Sequence, residues 1–159
     1  MKLYLVQHAE AISKDIDPER PLSKKGAADA AEMAAFLHSG DVMVDEVIHS
    51  GKARAKETAN ILSKAVWLGQ AAIEVEGLKP NDSTDHLFHA ATTAGGDIMA
   101  VGHLPFMEKM VSRCLTGKED GMSVGFEPGT VVCLERTNDD NQGGWQLNWM
   151  QRPSMVSGV

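Results

Sequence analysis

Lys2-Leu3-Tyr4-Leu5-Val6-Gln7-His8 opens the chain, and its reading decides the fold. Leu3 to Val6 are apolar without a break, so no alternating polar face exists. A short run of this kind predicts a strand buried on both sides, and such strands belong to mainly parallel sheets covered by helices. The run stops at two polar residues, Gln7 and His8. The same pattern recurs downstream. Asp45 to His49 predicts a second strand ending in the turn Ser50-Gly51. Ile73 to Val75 predicts a short third, and Asp97 to Val101 a fourth that stops at Gly102-His103.

Helical patterns separate these strands. Ser23 is placed to cap a helix in which Ala27, Ala30, Met33, Ala34 and Leu37 share one face, ended by Gly40. Lys52 to Leu68 predicts a second helix with Ala55, Ala59, Leu62 and Val66 inward. Asp82 or Ser83 caps a third, running through His86, Leu87 and Ala90. Pro105 stands at a helix start, and Phe106 to Leu115 continues from it. Gly117 to Gly129 reads as irregular. Thr130 to Arg136 and Trp145 to Met150 predict a hairpin across Asn138 to Gly144, and Gln151 to Val159 a loosely held polar tail. The expectation is an α/β three-layer sandwich: a mainly parallel central sheet, helices on both faces and an antiparallel edge hairpin. At 159 residues it is a single domain, 1–159.

Composition removes several classes of function. Fifteen Lys and Arg against twenty-two Asp and Glu give a formal charge of −7, which argues against nucleic-acid or anionic-lipid partners. Leu3 to Val6 is too short for a signal segment or a membrane span, so a cytoplasmic monomer is expected. Cys114 and Cys133 form no C-x-x-C pair and no zinc spacing, and read as reduced core thiols.

The chemistry gathers where the strands end. In open α/β sheets, ligands bind beyond the carboxyl ends of the strands. His8 follows strand one, Ser50 follows strand two, and His103 follows strand four. Arg54 lies in the first turn of the helix after Ser50, and Arg20 in a proline-bounded loop after strand one. Two imidazoles with guanidiniums suit a phosphoryl group. Guanidinium makes bidentate, charge-assisted bonds to phosphate oxygens. A neutral imidazole attacks phosphorus near pH 7 without a separate base. A second imidazole, protonated, stabilises charge on the equatorial oxygens. No metal or cofactor enters this scheme.

The other histidines carry less. His86 and His89 are three apart on a helix but lack accompanying ligands, so a solvated face is the better reading. His49 reads as structural or as part of the rim, and His38 as an exposed helix end. Gly121-Met122-Ser123-Val124-Gly125 matches G-x-S-x-G by letter, yet no helix pattern follows Ser123 and no His lies after His103. Gly117-Lys118 lacks the remaining residues of a P-loop.

Four elements in order carry a family resemblance. Leu5-Val6-Gln7-His8-Ala9-Glu10 is similar to an R-H-G-E signature. Arg20-Pro21-Leu22-Ser23 with Gly26 is similar to R-P-L-[ST]-x-x-G. Ser50 to Ala59 is similar to S-P-x-x-R-A-x-Q-T-A, and Val101-Gly102-His103-Leu104-Pro105 to V-[GS]-H-x-P. Together they resemble the histidine phosphatase (phosphoglycerate mutase-like) superfamily. The chain has no room for the helical lid insertion of larger members, and so resembles the compact SixA-type phosphohistidine phosphatases. The resemblance implies His8 as the phosphorylated nucleophile, with Arg54, Arg20 and His103 on the phosphoryl group. It implies a phosphorylated His-containing phosphotransfer domain as partner. The alternatives are a small phosphorylated substrate, cleaved by a phosphomonoesterase, or a non-catalytic phosphoprotein-binding module.

The sequence also departs from that pattern. Gln7 stands where the family usually has Arg and offers neutral hydrogen bonds to substrate in place of a charge. Ala9 replaces Gly, Gly51 replaces Pro, and Glu57 replaces Gln. Glu10, Glu76 and Asp82 are candidate acids for substrates with poorer leaving groups.

Overall fold

The computed structural model describes residues 1–68, 70–137 and 144–156. Six strands form one sheet: β1 (Lys2–Gln7), β2 (Glu46–His49), β3 (Ile73–Glu74), β4 (Ile98–Gly102), β5 (Val131–Arg136) and β6 (Trp145–Gln151). Their spatial order is β3-β2-β4-β1-β5-β6. β1 and β4 run parallel at the centre, in register from Leu3 opposite Ile98 to Gln7 opposite Gly102. β2 lies parallel to β4 on its other side, and β3 parallel to β2. β5 and β6 are antiparallel, so the predicted edge hairpin is present. Most of its predicted turn, 138–143, lies outside the described residues. Gly144 ends it with φ +80 and accepts from Thr137 N–H at 2.9 Å.

The helices are α1 (Lys24–Ser39), α2 (Ala53–Val66), α3 (Asp85–Thr93), α4 (Phe106–Thr116) and a single turn, α5 (Pro153–Val156). The unbroken apolar run of β1 supplies both faces of the sheet. Leu3 and Leu5 pack with Leu87, Met107 and Met110 on one side. Tyr4 and Val6 pack with Met33, Leu37, Ala59 and Leu62 on the other. Alternate residues thus point to opposite faces, both of them covered. Both cysteines are free and buried. No helix among the described residues is long and apolar enough to cross a membrane.

Of the four longer helices, one starts on a side-chain cap. Ser23 does cap α1, its hydroxyl accepting from Gly26 N–H at 3.0 Å. α2 stops at Val66, two residues before the expected Leu68. Neither candidate caps α3: its N-cap residue is Thr84, without a side-chain cap bond, and Ser83 accepts from Asp85 N–H at 3.1 Å just before the helix. Asp82 closes the preceding turn by accepting from Lys79 N–H at 2.9 Å.

The expected loose tail needs correction over residues 151–156; 157–159 lie outside the described residues. Gln151 completes β6, and Pro153 is buried. Ser154 donates from both its backbone N–H and its hydroxyl to the Glu127 carboxylate, at 3.0 and 2.6 Å. Composition misled here: a polar segment can be fixed by one proline and one carboxylate.

Candidate active site

β1 and β4 are neighbours that end level, which brings the residues following them together. The rings of His8 and His103 stand 5.2 Å apart, centroid to centroid, tilted by 53°. His8 is anchored through its backbone: its N–H donates to Gly102 O at 2.9 Å, and its carbonyl accepts from Gly129 N–H at 3.1 Å. Gly129 has φ +90, and a Cβ there would meet Pro153 Cγ at 2.8 Å. Only glycine fits this support beneath the loop comfortably.

The His8 side chain has a defined tautomer. Its Nδ1 lies 2.7 Å from Ala9 O. A carbonyl only accepts, so Nδ1 carries the proton and Nε2 keeps its lone pair. Burial, then Arg54 and Arg20, lower the His8 pKa to about 4 against a backbone hydrogen bond that raises it. At neutral pH the ring is therefore uncharged, with the Nε2 lone pair free.

His103 is 2% exposed, and its Nε2 lies 2.6 Å from Ser50 Oγ. Burial, His8, Arg54, Lys52 and Arg20 lower its pKa to about 3. The expectation of a protonated second imidazole is therefore corrected for the ligand-free protein. The same cations that suit an anion also keep this ring neutral until an anion arrives.

The cations come from two segments. Arg54 sits on the first turn of α2, half-buried, its pKa lowered by burial and by Arg20. Arg20 lies in the loop between β1 and α1 with φ +49, its Nε donating to Ile12 O at 3.1 Å. That loop is tied down by Leu22 N–H, which donates to the Glu57 carboxylate of α2 at 2.7 Å. Glu57, where the family pattern has Gln, thus accepts a bond that orders the Arg20 loop.

Gln7 is 8% exposed, and its Oε1 is buried without a hydrogen-bond partner. Arg54 Nε and His103 Nδ1 are in the same condition. Buried polar atoms are almost always paired. Three unpaired ones on three residues of one site are what a binding site for a polar ligand presents before it is filled. Gln7, His8, Arg20, Ser50, Arg54 and His103 are thus all found at one end of the sheet.

Sequence reasoning assigned no role to Thr58, and read His49 only as structural or as part of the rim. Buried Thr58 accepts from Ala9 N–H at 3.0 Å and donates to Arg54 O at 2.7 Å, which fastens the His8 loop to the Arg54 helix. The backbone of Ala9 stays out of the left-handed region, so replacing glycine costs no strain there. His49 Nδ1 accepts from Gly51 N–H at 3.1 Å and shapes the turn after Ser50. Gly51 has φ +89, which proline cannot adopt, so this turn is built differently from the S-P form of the family pattern.

The candidate acids are engaged by other partners or exposed. Glu10 Oε1 accepts from the Ser23 hydroxyl at 2.9 Å, Asp82 closes its own turn, and Glu76 is exposed. No group of three or more His, Cys, Asp or Glu side chains gathers as a metal site among the described residues.

The chain is 23% identical over 158 residues to the phosphohistidine phosphatase SixA of Escherichia coli (strain K12), covering 96% of this chain and 94% of that protein. The structure of the protein histidine phosphatase SixA complexed with tungstate matches at a TM-score of 0.83 and 20% identity, covering 99% of this chain and 100% of that one. A phosphoserine phosphatase mutant from Entamoeba histolytica, in complex with phosphoserine, matches at 0.71 and 16% identity, covering 96% and 97%. No protein-family model matches the chain. In sequence over nearly its whole length the chain is thus similar to the phosphohistidine phosphatase SixA, and it shares the fold of SixA.

Proposed function

We propose that this chain is a phosphatase that hydrolyses phosphohistidine on a protein, such as a His-containing phosphotransfer domain. His8 Nε2 attacks phosphorus, the P–N bond to the substrate imidazole breaks, and the leaving ring, already protonated on its other nitrogen, departs neutral. Water then attacks the phosphohistidine formed on His8. A P–O bond forms, the Nε2–P bond breaks, and inorganic phosphate leaves. Arg54 and Arg20 balance the charge on the transferring group, and Gln7 donates neutral hydrogen bonds.

One observation carries the substrate class. The charged groups that shift the two imidazoles are all basic, Arg20, Arg54 and Lys52 together with His8 acting on His103, and no carboxyl group is among them. An alkoxide leaving group needs an acid, whereas a protonated imidazole does not. A competing reading, a small-molecule phosphomonoesterase, is favoured by the fold shared with the phosphoserine phosphatase. A panel of phosphohistidine proteins and alkyl phosphates decides between them. Expected is a specificity constant at least about a hundredfold higher for phosphohistidine, about what a missing general acid costs. A higher constant for phosphoserine or a sugar phosphate would establish the competing reading.

The pH dependence follows from His8. The specificity constant reports ionisations of free enzyme and free substrate. Once the substrate's own ionisation is divided out, it should stay level from pH 8 through 6.5. It should fall about tenfold per unit only below pH 4, where His8 protonates. An acid limb centred at 6.5 would mean an ordinary, solvated imidazole. The same shifts act on stability. Both folded-state values lie below the ordinary 6.5, so the unfolded chain takes up protons first as pH falls. Their contribution is complete above about pH 6.5 and is lost progressively toward pH 4 and then 3. Urea midpoints measured across this range check it.

A further inference from the structure

We infer that Ser50 is a positioning residue that fixes the tautomer of His103, rather than a ligand of the substrate; the catalytic half of this inference rests on the phosphatase reading. β2 and β4 are paired with His49 opposite Val101, so the residues just past their ends, Ser50 and His103, emerge side by side. Both are almost fully buried, at 3% and 2% exposure. The hydroxyl of Ser50 lies 2.6 Å from His103 Nε2, and Lys52 N–H approaches the same oxygen at 3.4 Å. The turn that holds Ser50 is itself fixed, by Gly51 N–H donating to His49 Nδ1 at 3.1 Å.

A hydroxyl has one proton and two lone pairs. Lys52 N–H, an obligate donor, takes one lone pair of Oγ, and among the described residues Nε2 is the acceptor within reach of the hydroxyl proton, which is therefore directed to Nε2. Nε2 then accepts, so the proton of the neutral ring resides on Nδ1. Nδ1 has no hydrogen-bond partner among the described residues. The reversed tautomer would leave both the hydroxyl proton of Ser50 and the buried Nδ1 lone pair without a partner. With Nδ1–H in place, His103 keeps one donor for a phosphoryl oxygen. Side chains that hold a functional imidazole in one tautomer act through it, as the partners of metal-bound histidines do.

The test uses the full chain with labelled histidine. Long-range proton–nitrogen NMR at neutral pH reads the His103 tautomer without phosphate. Wild type should show Nδ1–H, Ser50→Ala a shift toward the other tautomer or a mixture, and Ser50→Thr, which keeps a hydroxyl, the wild-type pattern. With phosphohistidine substrate, Ser50→Ala should lose about tenfold in kcat with KM changed by less than about twofold, and Ser50→Thr should recover most of it. Unchanged His103 resonances in Ser50→Ala, or a raised KM with unchanged kcat, would overturn the inference and make Ser50 a substrate ligand. The NMR result stands apart from turnover. Nδ1–H in wild type, lost in Ser50→Ala, supports the tautomer assignment even if no phosphorylated compound is hydrolysed, an outcome that overturns the phosphatase reading alone.

Discussion

Replacing His8 by Ala is expected to lower phosphate release by about a thousandfold or more while leaving phosphate binding within about tenfold of wild type. In the proposed mechanism His8 supplies the nucleophilic lone pair, and its neighbours cannot replace it. The nearest imidazole, His103, has its Nε2 occupied by Ser50 at 2.6 Å. Arg54 and Arg20, which would hold the anion, are supported by α2 and by Ile12 O, and neither depends on the His8 ring. The loop is fixed through the backbone of residues 8 and 9, so the substitution keeps Gly102 O, Gly129 N–H and Thr58 Oγ1 engaged. A covalent readout accompanies the rate. Wild type incubated with labelled substrate and quenched should carry an acid-labile, base-stable label, and His8→Ala none. A loss below about tenfold, or a label that survives on the variant, would assign the nucleophile to another residue.

How much of this could be read from the amino-acid order varies from residue to residue. The run Leu3 to Val6 and the polar stops after β1, β2 and β4 placed His8, Ser50 and His103 at one sheet edge, because strand ends are marked by where burial stops. Arg54 followed from its place in the first turn of a helix. What periodicity cannot carry is the contact between segments far apart in the chain. Thr58 looks like one more small residue on the inner face of α2, yet it accepts from Ala9 N–H, 49 residues away in sequence, while donating to Arg54 O. Gly26 looks like a weak spot in α1, but a Cβ there would lie 2.0 Å from Glu10 O, so the helix can approach the loop only without a side chain. The charge state of His103 was equally hidden. Residue type gives an ordinary pKa near 6.5, and burial with four basic neighbours moves it to about 3. Ser154 and Glu127 show the converse, a polar terminus whose order depends on two partners that no local pattern reveals.

Arg54→Ala should cost about a hundred- to a thousandfold in kcat/KM for phosphohistidine, the scale seen when one donor to a developing anion is removed. Gln7 is the reason to expect the upper part of that range. An arginine beside the nucleophile would spread the charge of the phosphoryl group over one more guanidinium. Gln7 supplies only an amide, so Arg54 and Arg20 carry a larger share. Arg54 is also the better placed of the two. It is held on a helix whose next turns are locked by Thr58 and Glu57, and its buried Nε is unsatisfied within the protein. Arg20 already spends its Nε on Ile12 O. A second consequence separates loss of charge from loss of fold. Arg54 lowers the pKa of both imidazoles. Its removal should therefore move the acid limb of the pH profile upward from about 4, while a merely unfolded fraction would scale the profile without moving it. Arg54→Lys keeps the charge and loses the fork, so it should restore the acid limb without restoring the full rate. Steady-state rates from pH 3.5 to 8 on the wild type and both variants, with circular dichroism as the folding control, make the comparison. An Arg54→Ala profile that loses less than about fivefold and keeps its acid limb would show that Arg54 is a structural cation and that Arg20 alone balances the phosphoryl charge.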